Sequence, residues 1–234
     1  MRLILKIFPR KLLIKLSLLL QPLFTLIFKG SKFTDPINGK NYSHFFSYGY
    51  NNPRPNALCP GTFSLERHRL LWLYLNNELD ISNRALNVLH VAPAQVFLKK
   101  FKSIKDWTYT AIDLNSPLAD IKADLCDLPF KDKTYDLILC NHVLEHIIDD
   151  IKAMREIYRV LKPGGKAVLQ VPINFKNKKS YEDYNITSPR ERNQHFGQYD
   201  HVRVYGIDFF DRLSSVCLLY TSPSPRDQRG SRMP

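Results

Sequence analysis

Residues 135–146 read Tyr135-Asp136-Leu137-Ile138-Leu139-Cys140-Asn141-His142-Val143-Leu144-Glu145-His146. The run 137–140 is apolar throughout and short, the pattern of a strand buried on both faces rather than of an amphipathic helix. Four further runs share that character, at 88–92, 109–112, 121–123 and 167–171, and each of the five is followed by a helical or turn pattern. Strands alternating with helices imply a parallel sheet. The expected fold is therefore α/β, a doubly wound, mostly parallel Rossmann-like sheet, with any ligand crevice at the carboxyl ends of its strands.

Those strand ends carry the candidate binding residues. The first run leads through His90-Val91-Ala92 into Pro93-Ala94-Gln95, with no glycine. A glycine-free turn does not easily wrap a pyrophosphate, which weighs against NAD or ATP bound in the usual way and less against a ligand without phosphates. Asp113 closes the second run about 20 residues further on, where a carboxylate accepts both hydroxyls of a ribose. Asp124 follows the third run, placed to accept from an exocyclic adenine amine, with the Leu125 backbone beside the ring. Asn141 and His142 close the fourth. Asp149 is a candidate cap for a helix over 151–161, and Lys162-Pro163-Gly164-Gly165 is expected to end that helix, a glycine supplying its left-handed cap. Upstream, Leu65, His68, Trp72, Leu75 and Leu79 repeat at helical spacing, with Ser64 as the expected N-cap and His68 read as a packed core residue.

Four segments, Asp127-Leu128-Pro129-Phe130, Tyr135-Asp136-Leu137-Ile138, His142-Val143-Leu144-Glu145-His146 and Arg159-Val160-Leu161-Lys162-Pro163-Gly164-Gly165, stand in an order and spacing that resembles class I S-adenosylmethionine-dependent methyltransferases, in particular the type 11-like group. The resemblance covers roughly residues 85–173. His90-Val91-Ala92-Pro93-Ala94 is similar to the glycine-poor first motif of one bacterial subgroup. The resemblance implies S-adenosylmethionine as cofactor, held by His90, Ala92, Pro93, Asp113, Asp124, Leu125, Asn141 and His142, and methyl transfer to an unidentified acceptor. Where the acceptor needs a base, His146 and His142 are the candidates, with His195, His201 and Tyr205 in a later segment, 174–205, read as a lid or acceptor-binding stretch. The same subgroup carries a small zinc knuckle of two Cys-x-x-Cys pairs. Here the matching places read Asp35-Pro36-Ile37-Asn38 and Cys59-Pro60-Gly61-Thr62, a poor tetrahedral set, so the expectation is a degenerate knuckle over 31–63 and no metal. Two rivals remain on the same fold: a noncatalytic degenerate interaction protein, and a dinucleotide-dependent oxidoreductase.

The remainder of the chain sets the context. Among 234 residues, 34 Lys and Arg against 22 Asp and Glu give a net charge of +12. That balance favours anionic partners, although no aromatic-basic motif indicates nucleic acid. Cys59, Cys126, Cys140 and Cys217 show no close pairing, which fits a reducing compartment. Residues 1–30 are basic and apolar, interrupted by Lys15, Ser17, Gln21, Pro22 and Thr25, which suits a helix in a membrane interface, or equally one packed on the domain behind it, better than a span. The expected location is the cytoplasm, at the inner face of the membrane where this segment engages lipid. The methyltransferase domain is expected over 64–216, truncated after its fifth strand. Residues 217–234 are rich in Ser, Pro and Arg without periodicity, the composition of a disordered tail, and resemble a translated sequencing adapter.

Overall fold

The structure is a computed structural model that describes residues 10–49, 53–81 and 84–218. The chain forms two compact units. One takes the described residues up to Ala85 together with Pro93–Trp107; the other takes Leu86–Ala92 and the described residues from Thr108 onward.

The second unit holds a five-stranded sheet of β5 (Leu86–Val91), β6 (Trp107–Asp113), β7 (Ile121–Lys122), β8 (Tyr135–Asn141) and β9 (Leu161–Gln170), in the order β7-β6-β5-β8-β9. The pairings of β5 with β8, β6 with β7 and β8 with β9 are parallel. Consecutive strands run outward from β5 in one direction, then the chain returns to β8 on its other side. That reversal is the switch point of a Rossmann-like sheet, so the expected fold class is the one found. Val88, Leu89, Leu137, Ile138, Leu139 and Cys140 are all buried. Burial of consecutive residues explains why these strands lack alternation.

Helix α4 (Asp150–Val160) packs Ala153, Met154, Ile157 and Val160 into the core that also takes Leu89, Ile112 and Ile138. As expected, Asp149 caps it, its Oδ1 accepting from Lys152 N at 2.9 Å. The glycine pair has a different task from the one expected. Leu161, extended, ends the helix and begins β9 directly. Tyr135 faces Leu161 and Leu137 faces Lys166, so the residues between loop out as a bulge in which Gly164 takes φ +76°. A bulge needs left-handed backbone for the same reason a helix end does, which is why the local signal did not separate them. Beyond β9 lie β10 (Tyr181–Glu182), α5 (Pro189–Phe196), β11 (Arg203–Val204) and α6 (Phe209–Ser215), with β10 and β11 paired antiparallel. Of the tail expected over 217–234, Cys217 and Leu218 are described, and Leu218 is buried against the core cluster, where it fills apolar space and is not part of a disordered segment; residues 219–234 lie outside the described residues.

The first unit contains α1 (Arg10–Ile27), two antiparallel pairs, β1 (Lys29–Asp35) with β2 (Lys40–Tyr42) and β3 (Phe46–Tyr48) with β4 (Arg54–Leu58), then α2 (Glu66–Asn77) and α3 (Gln95–Lys102). The stretches around Asp35 and Cys59 do meet, joined by hydrogen bonds. Buried Asp35 accepts through Oδ2 from the Thr62 hydroxyl and from Ser64 Oγ at 3.0 Å, and through Oδ1 from Ile37 N at 2.9 Å. Burial beside this carboxylate pushes the Cys59 thiol up, so it stays protonated. Because Ser64 is engaged here, it does not cap α2; Leu65 is the boundary residue, and His68 Nδ1 accepts from its backbone N–H at 3.1 Å. Removing the carboxylate strands two buried hydroxyls and an amide. Asp35→Ala is expected to lower unfolding free energy by about 2–4 kcal/mol, measured by urea denaturation, with Asp35→Asn intermediate.

Candidate active site

Three strand ends of the second unit, those of β5, β6 and β8, carry most of the residues expected to bind a cofactor. At the end of β5, Ala92 adopts φ +48° while its N–H donates to Ile112 O at 2.8 Å. The chain therefore makes the left-handed turn that a glycine usually makes, with a methyl group present and a strain of about 1–2 kcal/mol. Pro93 follows, where the chain crosses into the other unit.

At the end of β6, Asp113 Oδ1 accepts from Asn115 N at 2.7 Å and Ser116 N at 2.6 Å. These two bonds lock the carboxylate's orientation. Among the described residues no donor reaches Oδ2, which leaves one oriented, charged acceptor at the strand tip. Asp124 is exposed; its Oδ1 accepts from Cys126 N at 2.8 Å, closing a tight turn over buried Leu125.

At the end of β8, Asn141 Oδ1 is buried with no hydrogen-bond partner. A buried amide oxygen without a donor is costly, and it calls for a ligand, an ion or an ordered water to complete it. His142 turns the chain at φ +56°, its N–H donating to Gln170 O at 2.7 Å. Its Nδ1 pairs with Glu145 Oε1 at 3.2 Å, and its side chain is 34% exposed. His146 lies one short turn on, Nδ1 at 3.2 Å from Asp200 O.

Two of the expected residues stand elsewhere. The His90 ring is 2% exposed and shares a 2.9 Å hydrogen bond with the Tyr109 hydroxyl, so it is an interior group of the sheet and not a strand-tip contact. His90 lies inside β5, where consecutive residues are buried on both faces of the sheet, and not in the turn that follows it. Tyr205, a candidate base, is fully buried and donates to Asp150 Oδ2 at 2.7 Å; burial first, then Asp150, pushes its phenol far above the ordinary tyrosine range. A proton so firmly held takes no part in acid–base exchange near neutrality. His195 pairs with the Tyr181 hydroxyl at 2.8 Å in an exposed position.

What the sequence did not reveal is how 174–205 is fixed. Arg203 is 1% exposed, and its guanidinium donates to Leu144 O at 3.0 Å, Ile147 O and Ile148 O at 2.7 Å, and through Nε to Glu182 at 2.9 Å. Arg212 joins Glu182 at 2.9 Å to Asp150 at 3.0 Å. The pairing of Glu182 with these two arginines outweighs its burial and holds its carboxyl below the ordinary range. The segment is thereby fastened to the turn that follows β8. No local pattern announces this, because the partners come from four separate places in the chain.

The parallel sheet, with an acidic residue at its second strand tip and a polar fourth tip, is that of a Rossmann-like α/β domain. Residues 79–169 match the family model described as a methyltransferase domain. The chain is 51% identical over 51 residues to an uncharacterized protein of Methanocaldococcus jannaschii, covering 22% of each, and 44% identical over 46 residues to the chloroplastic 2-phytyl-1,4-beta-naphthoquinone methyltransferase of Arabidopsis thaliana, covering 20% of this chain and 18% of that one. The matched region is thus about a fifth of the length of these relatives. Among solved structures, the Burkholderia thailandensis 1,6-didemethyltoxoflavin-N1-methyltransferase with bound S-adenosylhomocysteine is similar at 16% identity and a TM-score of 0.49, over 69% of this chain and 73% of that one.

The left-handed residue at the end of β5 gives a direct test of the backbone geometry. Ala92→Gly is expected to raise stability by up to about 1 kcal/mol, strain relief exceeding the added chain entropy, whereas Ala92→Val is expected to cost at least that much. Denaturant midpoints of the two variants, compared at equal m-value, check the sign of each.

Proposed function

We propose that this chain binds S-adenosylmethionine at the ends of β5, β6 and β8 and transfers its methyl group to an acceptor. The observation that carries the reading is the pair of waiting acceptors, buried Asn141 Oδ1 and oriented Asp113 Oδ2. An adenosyl amino acid brings the matching donors, ribose hydroxyls for Asp113 and an ammonium for Asn141, so the residues present fit it. The exposed Asp124 turn and the Leu125 backbone suit the adenine edge. When bound, the cofactor supplies a methyl group already activated on sulfonium. The chain's own task is then mainly orientation, which supplies on the order of 7–11 kcal/mol for well-placed partners.

His142 is the better placed of the two expected bases. A carboxylate oxygen accepts, so Nδ1 beside Glu145 holds the ring proton, and Nε2 is left with the lone pair that receives a proton from an acceptor amine or hydroxyl. The glycine-free first turn, with a methyl group on Ala92, favours this reading over a dinucleotide oxidoreductase. In the alternative of a degenerate interaction protein, neither Asp113 nor Asn141 has a ligand to complete it. Calorimetry with S-adenosylhomocysteine and with NAD separates the three. The expected result is adenosyl binding without NAD binding, weakened about 10- to 100-fold in Asp113→Asn, which keeps the turn acceptor and loses the charge. Unchanged affinity in that variant removes Asp113 from the site.

A second reading concerns the partner of α1. Leu12, Leu16, Leu19, Leu23 and Leu26 recur at one turn's spacing and are 50%, 48%, 74%, 50% and 71% exposed. Lys15 and Lys29 are exposed nearby, and Arg2, Lys6, Arg10 and Lys11 add positive charge in sequence. Among the described residues no helix is long and apolar enough to cross a membrane. A leucine stripe beside basic residues suits peripheral attachment to an anionic lipid surface. The chain is expected to sediment with phosphatidylglycerol vesicles and to lose that association in Leu19→Glu/Leu26→Glu. Vesicle-independent self-association that the same variant abolishes would assign the stripe to a second copy instead.

A further inference from the structure

Beside the end of β8, two imidazoles and a carboxylate converge apart from the residues assigned to the adenosyl ligand. One ligand-capable atom from each of Glu145, His146 and His201 lies within 4.8 Å of the others. The two rings meet edge to face with centroids 4.7 Å apart. In both, Nδ1 is engaged by a main-chain carbonyl, Asp200 O at 3.2 Å for His146 and Phe196 O at 3.3 Å for His201. A carbonyl only accepts. Each Nδ1 therefore carries the proton and each Nε2 keeps its lone pair, the tautomer that metal-binding histidines are held in by the same kind of outer partner.

The carboxylate supplies an independent sign. Glu145 is 2% exposed; its Oε1 takes His142 Nδ1, while Oε2 has no hydrogen-bond partner. An unpaired buried carboxylate oxygen is unfavourable unless a cation completes it. Nor is the arrangement a chance meeting of mobile groups. Val202 N donates to Glu145 O at 3.0 Å, and the next residue, Arg203, is the buried guanidinium that grips the turn carrying Glu145 and His146. Ligands at about 2.0–2.2 Å around a tetrahedral ion stand about 3.3–3.6 Å apart. A contraction of that size is within reach of side-chain rotation.

We propose that Glu145, His146 and His201 bind a divalent transition-metal ion, with its remaining coordination positions open to water or substrate. Imidazole with carboxylate suits ions such as Zn2+, Co2+ and Fe2+; all-oxygen sites suit Mg2+ and Ca2+, and soft thiolate sites suit Cu+. Three protein ligands with open positions is the composition of a reactive metal centre rather than a closed structural one. The proposal does not rest on the methyl-transfer reading or on the pattern around Cys59, although Glu145 also pairs with His142.

The test uses the tag-free full chain, stripped with EDTA and titrated with Co2+ in the absence of any adenosyl compound. Expected are one equivalent bound, visible absorption without a thiolate charge-transfer band, and displacement by Zn2+. His201→Ala and Glu145→Gln are each expected to weaken Co2+ binding at least 100-fold, while His44→Ala leaves it unchanged. X-ray absorption of the Zn2+-loaded wild-type chain is expected to show two imidazoles and oxygen donors, a readout that does not depend on any variant folding. Absence of stoichiometric binding, a thiolate coordination sphere, or unaltered affinity in folded His201→Ala would overturn the assignment.

Discussion

The buried guanidinium of Arg203 is the contact on which the active end of the second unit depends. A fully desolvated arginine is tolerated only where every donor is met and its charge is balanced, because removing it from water costs several kcal/mol before any partner is found. Here the carbonyls of Leu144, Ile147 and Ile148 take its N–H groups, and Glu182 and Asp150 supply the charge. Those carbonyls belong to the turn just past β8. The same contact therefore fixes the conformation of a turn that carries Glu145 and His146 and anchors a distant segment that carries His201. Few hydrophobic contacts would do both, since dispersion does not specify which carbonyl faces which donor.

A second constraint acts on the backbone at the strand ends. Ala92 and His142 both sit in left-handed conformations that residues with a Cβ seldom adopt. Strain of this kind persists only where surrounding structure over-determines it, and here each residue's amide is tied to the neighbouring strand, Ala92 to Ile112 and His142 to Gln170. The sharp turns direct the chain away from the sheet as soon as the strands end. Polar groups such as Asp113 and Asn141 then stand at the edge of the sheet instead of under a continuing strand.

In the first unit the same economy appears in a different form. Two stretches that a metal would otherwise join are held by one buried carboxylate accepting from two hydroxyls and an amide. Charge-assisted bonds of this type are about twice as strong as neutral ones. They also explain why Ser64, a good capping residue by composition, leaves α2 to Leu65 and His68.

The chain's local patterns determined the sheet, because continuous apolar runs with turns between them have few other ways to be buried, and they determined Asp113 and Asn141 as tip residues, because a strand's end follows from where its apolar run stops. They also determined the Asp149 cap, a contact spanning three residues. Only the tertiary structure decided that Gly164 belongs to a bulge, that His90 points inward to Tyr109, that Tyr205 is locked to Asp150, and that His201 meets His146 and Glu145. Each of these rests on register or on partners far apart along the chain. Distance in sequence carries no local periodicity, so such pairings become visible only once hydrogen bonds and packing have selected one arrangement.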